Sequence, residues 1–218
     1  MTLKIAMAQI NSTVGDLEEN AEKIRRFIAE AKSQKANLVV FPELAITGYP
    51  PEDLLLENAF VERNKELLGE LIEDNNFDIA GVIGFVDCKG KNLYNAAATF
   101  NRNKIVGVSY KTLLPTYDVF DEDRYFTPAK KEEILPVSID LHGKEFKLGI
   151  EICEDLWDQD YDLKVTDLLA RKGADLIVNI SASPFHVGKI FERKNKLKKK
   201  SIKKQIAHIL CESSRRTR

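Results

Sequence analysis

The apolar positions of this chain fall in short runs whose spacing switches between the period of a helix and that of a strand. Lys4 to Gln9 (KIAMAQ) is a brief apolar run that predicts a strand. Leu17 to Lys32 then places Ala21, Ile24, Phe27, Ile28 and Ala31 at the i, i+3, i+4, i+7 spacing of an amphipathic helix. Leu38 to Phe41 (LVVF) reads as a buried strand stopped by Pro42. The chain therefore opens β-α-β, the start of an α/β layered domain. Ala59 to Glu73 predicts a second helix through Phe60, Leu67, Leu68, Leu71 and Ile72.

Three strand-like runs follow closely, Ile79 to Val86, Tyr94 to Phe100 and Lys104 to Ser109. The turns between them, CKGKN and NRN, have hairpin chemistry, so the middle of the sheet is antiparallel or mixed. Phe146 to Ile152, a helix near Lys164 to Lys172 and the strand Asp175 to Asn179 restore the β-α-β alternation. The basic run Glu192 to Lys204 (ERKNKLKKKSIKK) predicts a solvated helix face, with Leu197 and Ile202 to Ile206 turned to the core. Acidic residues elsewhere balance its charge and no aromatics interleave with it, which argues against a nucleic-acid or lipid patch.

Composition narrows the picture. The 218 residues suit one large domain, and a hydrophobic share of 44% can bury a sizeable core. A net charge of −1 projects no global field towards nucleic acid or membrane. Cys88, Cys153 and Cys211 show neither metal-ligand spacing nor an even disulfide pattern, so no metal is expected and a reducing cytoplasm is the expected setting. The N-terminal segment has no apolar stretch of signal-peptide or membrane-spanning length.

Three segments place a reactive side chain directly after an apolar strand: Glu43 after LVVFP, Lys111 after KIVGVSY and Cys153 after FKLGIEI. Strand ends are where layered α/β folds build their sites. Singly, each would be ordinary: a loop carboxylate, a surface ammonium, a small buried hydrophobe. Cys153, however, is flanked by Glu151, Glu154 and Asp155, with Trp157 close behind, a polar surround that a core cysteine does not need.

Together, FPELAITGYPPEDLL, YKTLLPTYDVFDEDRYF and LGIEICEDLWD resemble the three signature blocks of the nitrilase, or carbon–nitrogen hydrolase, superfamily. Within it, GYPPEDLLL, YDVFDE-RYF and ICEDLW are similar to the glutaminase domains of glutamine-dependent NAD synthetases, over residues 4 to 210 or so. The resemblance implies a four-layer α-β-β-α sandwich and amide hydrolysis by a Glu43–Lys111–Cys153 triad. Glu43 would be the proton shuttle, Cys153 the nucleophile, and Lys111 with the backbone N–H of Glu154 the oxyanion partners. Glu122 matches the superfamily's additional glutamate, which holds the lysine. Tyr117, Ser183 and Lys189 match positions that grip glutamine, and Phe120 would supply an apolar wall. His186, Cys88 and Cys211 receive no role.

The resemblance further implies L-glutamine as substrate, no cofactor for the amidase step, and a homo-oligomer paired through a helical face. An NAD synthetase domain or subunit would use the ammonia, with ATP and deamido-NAD bound there, since no Gly-rich phosphate loop occurs in this sequence. After IAHILC the family continues through a Gly-rich turn into closing strands, whereas this chain reads ESSRRTR. Residues after about 211 are thus atypical, and a truncated sandwich with an uncovered sheet edge is expected. Two rival readings are a stand-alone amidase for another small amide and a non-catalytic remnant.

Overall fold

A computed structural model describes residues 2–73 and 78–214. Two sheets lie face to face. The first has the order β1(Ile5–Met7), β2(Leu38–Val40), β3(Ala80–Lys89), β4(Asn92–Asn101), β5(Lys104–Tyr110). The second has the order β6(Val137–Leu141), β7(Lys144–Ile152), β8(Leu176–Ser181), β9(Ala207–Glu212). Helices α1(Leu17–Ser33) and α2(Asn58–Glu73) cover the first sheet, and α3(Val165–Arg171) and α4(Lys189–Lys204) flank the second.

Strand alternation sorts side chains between the layers. Val39, Ile83, Phe85 and Phe100 face α1 and α2, meeting Ile24, Ile28, Leu67, Leu68 and Leu71. Val40, Val82 and Ala97 face the other sheet, meeting Leu148, Ile150, Val178 and Ile180. Each Val, Leu, Ile or Phe side chain among these, fully buried, stabilises the fold by about 1.5–3 kcal/mol. The predicted α-β-β-α sandwich is thus present, with β1 and β2 parallel and β3 to β5 antiparallel.

The hairpin turns follow their chemistry. Asn101 pairs with Lys104 around Arg102 (φ +51°) and Asn103 (φ +62°), the two left-handed residues of a type I′ turn. α1 starts at Asp16, whose carboxylate accepts from the Glu19 N–H at 3.3 Å. Phe27, placed on its apolar face by spacing, is instead exposed, and buried Asn20 takes part of that face, bonding Thr13 and the Ile46 carbonyl.

Two strands escaped the sequence reading. β6 carries the alternating pattern VSIDL ahead of a His142–Gly143 turn, and β9 covers the apolar run after α4. The larger correction concerns α4. It buries no residue, Leu197 is only half-buried and Ile202 is 67% exposed, while Ile206 is buried beyond the helix end. The face turned inward is the basic one. Arg193 meets Glu212 at 2.6 Å, Lys200 meets Asp158 at 2.9 Å, and Lys204 meets Asp167 at 2.7 Å. Acidic partners on the neighbouring elements draw this i, i+7, i+11 stripe in, and Ile190, Phe191 and Ile202 face out. Of the atypical C-terminal residues, 215–218 lie outside the described residues.

Candidate active site

Glu43, Lys111 and Cys153 come together at the ends of β2, β5 and β7, across the two sheets. All three are nearly inaccessible to solvent. The Lys111 Nζ donates to Glu43 Oε1 and to Glu122 Oε1, each at 2.8 Å. Glu43 is further fixed by Asn95 Nδ2, at 2.8 Å to Oε1, and by the Ala182 N–H, at 2.9 Å to Oε2. Tyr49 donates its hydroxyl to Glu122 Oε1 at 2.8 Å. One ammonium thus bridges two buried carboxylates beside the thiol.

Local backbone geometry aims these groups. Cys153 itself has φ +46° as β7 turns into the short 3-10 turn Cys153–Leu156, and Leu44, just after Glu43, also has φ +46°. Side chains with a Cβ are strained in that region, and such strain gathers at functional sites. Glu43 also needs room on β3. A Cβ at Gly84 would lie 2.3 Å from the Pro42 carbonyl oxygen and 2.5 Å from the Leu44 nitrogen. Only a residue without a side chain lets the Glu43 turn lie this close.

The electrostatics follow from burial and neighbours. Burial pushes the Cys153 thiol well above its ordinary value, and the Glu43 charge adds to this. Lys111 and a hydrogen bond with Ser181 act the other way. Burial disfavours the Lys111 ammonium, but Glu122 and Glu43 more than offset it and hold that pKa well above the ordinary lysine value. Glu122 is raised by burial, against the pull of Lys111. Burial and the Glu43 charge thus favour the protonated thiol, while the two carboxylates favour the charged ammonium.

The residues expected around the substrate divide into two groups. The Tyr117 hydroxyl lies 3.0 Å from both carboxylate oxygens of Glu154, the Tyr161 hydroxyl lies 3.2 Å from Oε1, and Phe120 packs edge-on against Tyr117. Burial raises the Glu154 carboxyl, opposed by these two hydroxyls. Ser183 sits elsewhere, accepting from Arg193 at 2.7 Å and lying 3.3 Å from Glu212, next to the Ala182 N–H that grips Glu43. Lys189 rests 4.0 Å from the Trp157 ring centroid, a cation–π contact three residues beyond Glu154. His186 is at the surface beside Glu192, and Cys211 is buried with its sulfur on the Val40 carbonyl. Sequence reasoning missed Asn95, Tyr49, Tyr161 and Ala182. Tyr49 stood in a quoted motif and Asn95 on a recognised strand, but partners contributed from distant elements left no local signal.

The carbon-nitrogen hydrolase family matches residues 4–193, a span that contains every group in this constellation except Glu212. The chain belongs to the carbon-nitrogen hydrolase family. Glutamine-dependent NAD(+) synthetase of Thermotoga maritima is 40% identical to this hydrolase over 210 residues, covering 96% of this chain and 35% of that protein. The Aquifex aeolicus protein of the same name is 41% identical over 200 residues, 91% of this chain and 33% of that one. The hydrolase thus spans about a third of the length of these relatives. The solved glutamine-dependent NAD+ synthetase of Acinetobacter baumannii superposes with a TM-score of 0.86 at 30% identity, over 97% of this chain and 38% of its own. A carbon-nitrogen hydrolase from Helicobacter pylori G27 shares the fold at 23% identity and a TM-score of 0.76, over 94% of this chain and 72% of its own.

Proposed function

We propose that this carbon-nitrogen hydrolase cleaves the side-chain amide of L-glutamine to L-glutamate and ammonia through a Cys153 thioester. The observation that carries the reading is the buried Lys111 ammonium, shared by Glu43 and Glu122 next to the Cys153 thiol. Glu43 takes the thiol proton as sulfur attacks the amide carbon, and the C–N bond then breaks as Glu43 returns that proton to the leaving nitrogen. Lys111 and the backbone N–H of Glu154 stabilise the oxyanion. Water, deprotonated by Glu43, next attacks the thioester; the C–S bond breaks, glutamate leaves and the thiol is restored. Thiol, carboxylate and ammonium supply each role, so the step draws on no cofactor.

The surroundings favour an amino-acid amide. The Glu154 carboxylate with Tyr117 suits the substrate ammonium, Lys189 its carboxylate, Ser183 a polar contact and Phe120 the aliphatic stem. Ammonia would pass to an NAD synthetase domain or subunit, where ATP and deamido-NAD would bind, in the cytoplasm. The hydrolase would work as a homo-oligomer through the outward apolar residues Val187, Ile190 and Phe191 of the α4 region.

Ammonia release from glutamine, compared with a panel of small amides, tests this reading. We expect glutamine to be preferred and Cys153→Ala to abolish release in a folded protein. Release from Cys153→Ala at the parent rate would refute the thioester route. Preference for another amide would leave a stand-alone amidase, and no release from any amide would leave a non-catalytic remnant.

A further inference from the structure

Asp155 stands two residues after the nucleophile and has no part in the chemistry just described. Its side chain is almost completely buried, and among the described residues it accepts from three backbone N–H groups. One oxygen, Oδ1, accepts from the N–H groups of Thr112 and Leu113 at 3.1 and 2.9 Å. The other, Oδ2, accepts from the Ile152 N–H at 3.0 Å. Thr112 and Leu113 follow Lys111 as the chain leaves the first sheet. Ile152 precedes Cys153 as it leaves the second. A single carboxylate therefore spans the two strand ends that carry the ammonium and the thiol.

From this geometry we infer that Asp155 is a positioning residue that fixes Lys111 against Cys153 across the gap between the sheets. The inference rests on the amidase reading for its kinetic consequence, not for the geometry itself. Sheet-to-sheet packing near the site is apolar and non-directional, so it sets a spacing without setting an orientation. Burial pushes the Asp155 carboxyl up to about 7 against the pull of its backbone donors, and its three hydrogen bonds add direction, because each fixes an N–H vector as well as a distance. The Ile152 bond also closes the chain over the left-handed Cys153, which holds that strained conformation in place. Glu43 has its own inter-sheet tie through the Ala182 N–H, so each carboxylate joins the sheets at a different corner of the site.

The test compares Asp155→Asn and Asp155→Glu with the parent, all with Cys88→Ser and Cys211→Ser so that alkylation reports on Cys153. Asp155→Asn keeps one acceptor oxygen and turns an NH2 group against a backbone N–H, breaking one half of the tie. Asp155→Glu keeps the charge but spreads the strand ends by a methylene. We expect kcat per folded molecule to fall about 100-fold in either variant, the cost of displacing reacting groups by about an ångström, with KM unchanged. In Asp155→Glu the iodoacetamide alkylation profile of Cys153 should move to higher pH, because Lys111, whose charge favours the thiolate, is displaced while Ser181 stays in place.

Loss of thermal stability with kcat and alkylation profile at parent values would overturn the proposal, leaving Asp155 a structural residue. Failure of both variants to fold would overturn it as well. If the parent hydrolyses no amide, the functional reading fails on its own. The alkylation profile then still decides for or against the tie.

Discussion

Glu43 is held by three donors, two on Oε1 and one on Oε2, so its carboxylate cannot swing away from the thiol without breaking several hydrogen bonds at once. Its charge and that of Lys111 act on Cys153 with opposite signs. Glu43→Gln removes a charge that raises the thiol, so the thiolate should appear at lower pH than in the parent. Lys111→Met removes the charge that lowers it, so the thiolate should appear at higher pH. Both variants should lose about 10²–10³-fold in amide turnover, since groups acting as a unit in acid–base and oxyanion roles fail together. Titrating thiolate ultraviolet absorbance in a Cys88→Ser, Cys211→Ser background checks the signs. Shifts in the same direction would contradict the electrostatic account. At this scale strand-end positions and the resemblance of three motifs pointed to Glu43, Lys111 and Cys153, and the structure brings these side chains together. The sequence could not reveal Asn95 or Ala182, which reach Glu43 from β4 and from the end of β8.

Strands and helices were legible because burial writes a period into the sequence, as in α1 with Ile24, Ile28 and Ala31. Their junctions were less so. Gly84 lies within the continuous apolar run of β3 and looks dispensable by pattern, yet it is the position over which the Glu43 turn lies. Gly84→Ala should therefore push the Pro42–Leu44 backbone off the strand, destabilising the fold by about 1–3 kcal/mol, as overpacking does. Turnover should fall as well, because Glu43 moves with its backbone. Denaturant unfolding with kcat per folded molecule measures both, and parent values for the two would show that the turn can yield. β6 was missed for a different reason: a five-residue strand with two polar positions is weak evidence until its partner β7 is known.

Across the whole molecule, α4 reverses the usual arrangement of an amphipathic helix. Its basic stripe is drawn in by Asp158, Asp167 and Glu212, leaving Ile190, Phe191 and Ile202 exposed at 48%, 72% and 67%. Exposed apolar clusters of this kind mark contact surfaces. Phe191→Glu should convert the proposed homo-oligomer into single chains, measured by sedimentation, without changing the far-ultraviolet circular dichroism. A parent protein sedimenting as a single chain at every concentration would remove the case for pairing through α4.

The sequence by itself determined the layered α/β class, the order of most elements, and a Glu, a Lys and a Cys each set at the end of an apolar strand, because periodicity and strand-end placement are local properties. The tertiary structure alone decided which face of α4 turns inward, that Asp155 spans two sheets, and that one ammonium sits between two carboxylates. Those outcomes depend on donors and acceptors from different elements, 11 to 68 residues apart in the chain, meeting at about 3 Å, which no local pattern encodes.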